Sequence, residues 1–140
     1  GPAIREMVEE RGWIVVHTAL LPDGRELLED ELRRLCDGGL ADLVLTTGGT
    51  GFSPTDVTPE ATMAVVERPT PGIPEAMRYY SLQITPRAML SRAAAGIRGR
   101  TLVVNLPGSP KAVRECLQAI LPALDHGLEI LKGAGGNCAR

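Results

Sequence analysis

LVLTTGGTGFSPTDVTPEAT, residues Leu43 to Thr62, carries an apolar run straight into a threonine- and glycine-rich loop, then a carboxylate, then a helix start. Leu43, Val44 and Leu45 continue into Thr46 as an unbroken apolar strand of the kind that is covered on both faces in a parallel sheet. Gly48, Gly49 and Gly51 have no Cβ, so the loop after the strand can adopt positive φ and turn several backbone N–H groups toward one anion. Thr46, Thr47 and Thr50 add hydroxyls. Asp56 follows, and Thr58 as N-cap with Pro59 at the first helical position marks the next helix. Gly-rich turns after strands also serve as plain tight turns, and that alternative stays open for the loop taken alone. Asp56 argues for the ligand, because a carboxylate beside a phosphate cradle is repulsive unless a divalent cation lies between them or it orients a reacting group.

Two common phosphate motifs do not fit. No Gly-Lys-Ser/Thr closes the loop, which excludes the P-loop. Gly49-Thr50-Gly51-Phe52-Ser53-Pro54 starts like a dinucleotide fingerprint but has proline in place of its third glycine, so a nicotinamide-dependent oxidoreductase is disfavoured.

Outward from this stretch the chain alternates. Pro2, Ile4, Met7, Val8 and Gly12 outline a first amphipathic helix, and the β-branched, apolar run from Trp13 to Leu21 predicts a strand ending at Pro22-Asp23-Gly24. Leu28, Leu32, Leu35 and Cys36 recur at helical spacing within residues 25–37. Beyond the loop, a helix is expected from Pro59 to Glu67, another from Pro74 to about Leu82, and a brief turn at Thr85-Pro86-Arg87. Ser91 to Ile97 and Thr101 to Leu106 flank Arg98-Gly99-Arg100 as a β-hairpin. Pro110 to about Lys132 reads as a helix broken or bent at Pro122, and 133–140 as a frayed, Gly-rich tail. The order implies an α/β three-layer sandwich, with a mostly parallel sheet plus an antiparallel hairpin.

Composition narrows the function. A chain of 140 residues fits a single domain, residues 1–140. A net charge of −2 and 3% aromatic residues offer no basic, ring-bearing surface for nucleic acid. No apolar stretch is long enough for a membrane span, and no signal-peptide pattern is present. Cys36, Cys116 and Cys138 are odd in number and lack metal-ligand spacing, which points to small core residues and a reducing, cytoplasmic compartment. His17 and His126 lie beside no motif. Small-molecule chemistry is the class that remains.

The loop sequence TTGGTGFSPTDVTPEAT resembles the signature of the molybdopterin adenylyltransferase family, which includes the MogA and MoaB proteins and the G domain of gephyrin. Met89-Leu90-Ser91-Arg92 with Gly96-Ile97-Arg98-Gly99, and then Asn105-Leu106-Pro107-Gly108-Ser109-Pro110-Lys111, extend the match in order, from Gly1 to about Leu131. The resemblance implies adenylyl transfer from ATP to molybdopterin with Mg2+, in molybdenum cofactor biosynthesis. It assigns Asp56 to magnesium-nucleotide binding and transfer, with Asp23 as a second functional carboxylate. Thr47, Gly48, Gly49, Thr50 and Gly51 would hold the nucleotide phosphates, and Pro71 and Gly72, with Met77 nearby, belong to an adenine pocket. Ser91, Asn105, Gly108, Ser109 and Lys111 would cradle the pterin and its phosphate. A homotrimer is implied, with an apolar face near Tyr79 and Tyr80. Family members begin with a strand and a Ser-Asp-Arg loop ahead of the first helix, so the first family strand is expected to be missing from this chain, as in a truncated or partly ordered version of a longer one. That gap leaves a second possibility, a pterin-binding or scaffold protein of the same fold without turnover.

Overall fold

The computed structural model describes residues 1–133. Helix α1 (Pro2–Glu10) and helix α2 (Arg25–Asp37) precede strand β1 (Leu43–Thr47). Helix α3 (Thr58–Val65), strand β2 (Arg68–Pro69) and helix α4 (Gly72–Leu82) follow, then a 3₁₀ turn at Pro86–Leu90. Strands β3 (Ala95–Arg98) and β4 (Thr101–Leu106) lead into helix α5 (Pro110–Lys132).

The sheet order is β1-β4-β3-β2, with β1 and β4 parallel and the other two pairs antiparallel. Strand β4 lies at the centre and is buried along its whole length. Its alternation separates the two faces, as a pleated strand must. Leu102, Val104 and Leu106 pack with Met77 of α4 and with Val113, Leu117, Ile120 and Leu124 of α5, while α1 adds Ile4 and Met7. Val103 faces the other way, toward Leu32 and Cys36 of α2 and Val65 of α3. The three layers are therefore α1/α4/α5, the sheet, and α2/α3.

Several local expectations change. Trp13–Leu21 forms no strand: among the described residues its one backbone bond to another segment is Trp13 N–H to the Val8 carbonyl, and Ile14 and Leu20 are 84% and 99% exposed. A β-propensity run becomes a strand only when a neighbouring backbone completes its ladder. Here a cleft of about 1370 Å³ lies between this run and β1. The parallel part of the sheet is consequently one pair of strands.

Helix α3 stops at Val65, earlier than predicted, because Glu67 and Thr70 donate their N–H groups to Ile97 and Ala95 of β3 at 2.8 and 3.0 Å. The intervening Arg68–Pro69 is the short edge strand β2, a place where proline's missing donor does no harm. Thr58 sits inside α3 and Val57 is its N-cap, without a side-chain cap bond. Helix α4 starts at Gly72, two residues ahead of Pro74. Helix α5 runs unbroken through Pro122, whose side is exposed, so water can serve the carbonyl that loses its N–H partner. The expected frayed tail lies almost wholly outside the described residues, apart from Gly133, the left-handed C-cap of α5.

Candidate functional site

Because β1 and β4 are adjacent and parallel, their carboxyl ends at Thr47 and Leu106 finish side by side. Both strand-to-helix turns, 48–57 and 107–109, therefore open at one edge of the sheet, where ligands gather in open α/β folds. The turns touch. Gly48 N–H donates to the Leu106 carbonyl at 3.0 Å, and a Cβ on Gly108 would lie 3.6 Å from Gly48 Cα.

The first turn depends on glycine. Gly48 and Gly49 have φ of 81° and 69°, and any Cβ on Gly49 would overlap the Thr58 hydroxyl. The Gly49 carbonyl accepts from Thr58 N–H at 3.1 Å, which leashes the loop to the start of α3. Four successive N–H groups, on Gly49, Thr50, Gly51 and Phe52, find no acceptor among the described residues. Thr50 is only 7% exposed. An unpaired amide so buried is costly unless a ligand supplies the acceptor, while Phe52, at 69% exposed, opens the run to solvent.

Asp56 closes the loop on itself. Its Oδ2 accepts from Ser53 N–H at 2.9 Å and its N–H donates to the Ser53 carbonyl at 2.9 Å. Oδ1 accepts nothing among the described residues. Asp56 and Asp23 line the same cleft as Thr47, Gly48 and Gly49. Asp23 is exposed, on the turn before α2, and makes no hydrogen bond or ion pair among the described residues. No cluster of three or more metal-ligating side chains occurs among the described residues.

The second turn divides its residues between structure and surface. Asn105 is fully buried and faces α3: its Nδ2 donates to the Thr46 and Thr62 hydroxyls at 3.0 and 2.8 Å, and its Oδ1 accepts from Ala94 N–H at 3.0 Å. Ser109 caps α5, accepting from Ala112 N–H at 3.2 Å. Ser91 Oγ accepts from Ala93 N–H at 3.3 Å and its carbonyl accepts from Arg78 at 3.3 Å. Gly108 and Lys111 are exposed, and Lys111 has no ion pair among the described residues. Pro71 and Gly72 follow the edge strand β2, on the far side of β3 from β4. Gly72 lines a shallow apolar groove between α4 and α5, and Met77 is 3% exposed within the core.

One residue, which the resemblance placed with Ser91 in the pterin-cradling region, turns instead toward the first loop. Arg92, in the extended run before β3, reaches back to the loop: its Nε donates to the Gly51 carbonyl at 2.7 Å and its Nη2 to the Asp56 carbonyl at 2.6 Å. Its Nη1 meets Glu60 Oε2 at 2.6 Å, and this hydrogen bond holds the Glu60 carboxyl below its ordinary range. The sequence signal was its place beside Ser91; the partners are 32 to 41 residues away.

A family profile described as a probable molybdopterin binding domain matches residues 1–126. The chain is 44% identical over 135 residues to a molybdopterin adenylyltransferase of Helicobacter pylori strain J99, covering 95% of this chain and 77% of that protein. Among solved structures, the molybdopterin biosynthesis enzyme MoaB of Thermus thermophilus is 48% identical and superposes with a TM-score of 0.89 over 94% of this chain and 83% of its own. The molybdopterin biosynthesis Mog protein of Mycobacterium ulcerans, 40% identical, gives a TM-score of 0.87 over 94% and 85%. With the profile spanning most of the chain and these relatives sharing both sequence and fold, the chain belongs to the molybdopterin adenylyltransferase family of molybdenum cofactor biosynthesis.

Proposed function

We propose that the paired turns bind ATP and molybdopterin and transfer the adenylyl group between them, giving adenylyl-molybdopterin and pyrophosphate. The observation that carries this reading is the run of four unpaired N–H groups from Gly49 to Phe52, a polyphosphate-sized set of donors that follows directly on Gly48, the residue lying against the second turn at Gly108. Family membership supplies the pterin.

In this reaction an oxygen of the pterin's terminal phosphate forms a bond to the α-phosphorus of ATP while the bond to the pyrophosphate oxygen breaks. The nucleophile is already an anion, so no strong base is required, in keeping with two motifs that contain neither histidine nor cysteine. The loop amides hold the nucleotide phosphates and oppose their charge without reorganising. Asp56, through its unengaged Oδ1, and Asp23 would hold Mg2+, which supplies charge neutralisation on the phosphates when bound. Lys111 and Gly108 would face the incoming pterin phosphate, and Ser91 lies just after the 3₁₀ turn, ahead of β3. Asn105 and Ser109 serve this half by fixing the turn rather than by touching the ligand. Pro71 and Gly72 would reach an adenine only if it extended toward α4.

The test is incubation with molybdopterin, ATP and Mg2+, followed by chromatography for adenylylated pterin. Formation of product by the parent, and its loss in Asp56→Ala, is the expected result. A parent that makes none would sink the transfer reaction. The second reading, a pterin-binding or scaffold protein without turnover, is favoured by one observation, the exposed and unsupported Asp23. Pterin binding that ignores ATP, with no pyrophosphate released, is its signature. The reading includes a homotrimer in the cytoplasm, the first from the family resemblance and the second from free, buried Cys36 and Cys116; sedimentation equilibrium measures the assembly.

A further inference from the structure

We infer that Arg92 is a positioning residue whose clamp with Glu60 presets the anion-binding face of the 48–56 loop. Arg92 grips the loop's carbonyls from one side. Its backbone N–H donates to Thr50 at 2.8 Å, while the guanidinium donates to Gly51 at 2.7 Å and to Asp56 at 2.6 Å. None of the peptide bonds among the described residues is cis. In a planar trans peptide the C=O and the following N–H point in opposite directions. Drawing the Thr50 and Gly51 carbonyls toward Arg92 therefore aims the Gly51 and Phe52 N–H groups the other way, and these are two of the four that lack acceptors.

Arg92 does not itself act on a phosphate. Its Nε and both terminal nitrogens are engaged, and Glu60, at 2.6 Å from Nη1 and 3.4 Å from Nη2, offsets its charge. What it contributes is direction: a planar fork that holds two carbonyls and a carboxylate at once, which a lysine ammonium cannot reproduce. Because Glu60 belongs to α3 and Arg92 leads into β3, the clamp also fixes the loop relative to both. Its use rests on the nucleotide reading, but its content concerns the ligand-free loop and can be measured there.

The experiment follows backbone amide exchange at Ser53, Thr55, Asp56 and Thr58, the N–H groups bonded within the loop or to it, in the ligand-free chain, and the affinity for inorganic pyrophosphate by calorimetry, in the parent, Arg92→Lys and Glu60→Gln. Loss of a charge-assisted hydrogen bond predicts exchange about tenfold faster in the loop and pyrophosphate binding about tenfold weaker in Arg92→Lys, with β4 and α5 amides unchanged. Glu60→Gln is expected to move the same two readouts in the same direction by less. Guanidinium ion added at millimolar concentration to Arg92→Ala is expected to restore part of the affinity. Exchange and affinity within about twofold of the parent in both conservative variants would overturn the inference. If the parent binds no pyrophosphate, the nucleotide reading fails, and the loop-exchange result still decides the role of Arg92.

Discussion

At Asp56 the expected effect is on chemistry and not on folding. The carboxylate makes one hydrogen bond, to Ser53 N–H, so Asp56→Ala should lower adenylyl transfer by about a hundredfold or more while the melting temperature shifts only slightly. Gly49 is the reverse case. Its φ of 69° disfavours any Cβ by about 1–2 kcal/mol, and contact with the Thr58 hydroxyl adds to that. Gly49→Ala is therefore expected to lose about 2 kcal/mol or more in urea denaturation and to bind pyrophosphate weakly, because the loop amides turn with it. Asn105→Ala should lower stability by about 2–3 kcal/mol, since it strands Ala94 N–H and takes the donor from two threonine hydroxyls in a fully buried place. A loss that small in stability with a far larger loss of pterin binding would place Asn105 on the ligand instead.

Elements are joined by a second arginine. Arg98 of β3 donates to both carboxylate oxygens of Asp37, at 2.8 and 3.0 Å, and to the Val65 carbonyl at 2.9 Å, tying the hairpin to the ends of α2 and α3. Asp37 ends α2, where the helix dipole disfavours a negative charge, and Arg98 offsets that. The hydrogen bond from Arg98 holds the Asp37 carboxyl below the ordinary aspartate range. A folded-state pKa depressed in this way gives stability that is present at neutral pH and lost as pH falls through the folded value. Asp37→Asn should accordingly lower the urea midpoint at neutral pH, and the gap to the parent should close below the ordinary aspartate range. A gap that persists unchanged into acid would show that the pair contributes by packing alone.

For the molecule as a whole, the two cores on either face of β4 make opening a cooperative event. Cys36 belongs to one and Cys116 to the other, and burial pushes both thiols above their ordinary range. Both should alkylate only as fast as the domain unfolds, and at equal rates, when iodoacetamide labelling is mapped by mass spectrometry. Fast labelling of Cys36 alone would mean that the α2/α3 layer detaches separately. Such detachment is the natural failure to look for, because the cleft between Trp13–Pro22 and β1 borders that layer.

Local chemistry in the sequence was enough for the loop and its neighbours. Glycines at 48 and 49, proline at 59 and the Asn105 to Lys111 turn favour particular backbone states wherever they fold, so the strand-loop-helix units and the hairpin were legible as elements, though β3 begins at Ala95 and not at Ser91, and α3 is capped by Val57 and not by Thr58. Long-range pairing was not. Trp13–Leu21 has strand composition but no ladder, Arg68–Pro69 has turn composition yet pairs with β3, and the chain runs helically through Pro122 because that face meets water. Asn105 turned inward and Arg92 reached back across the fold for the same reason. Hydrogen-bond partners tens of residues apart are chosen by which backbones end up adjacent, and only the packed sheet settles that.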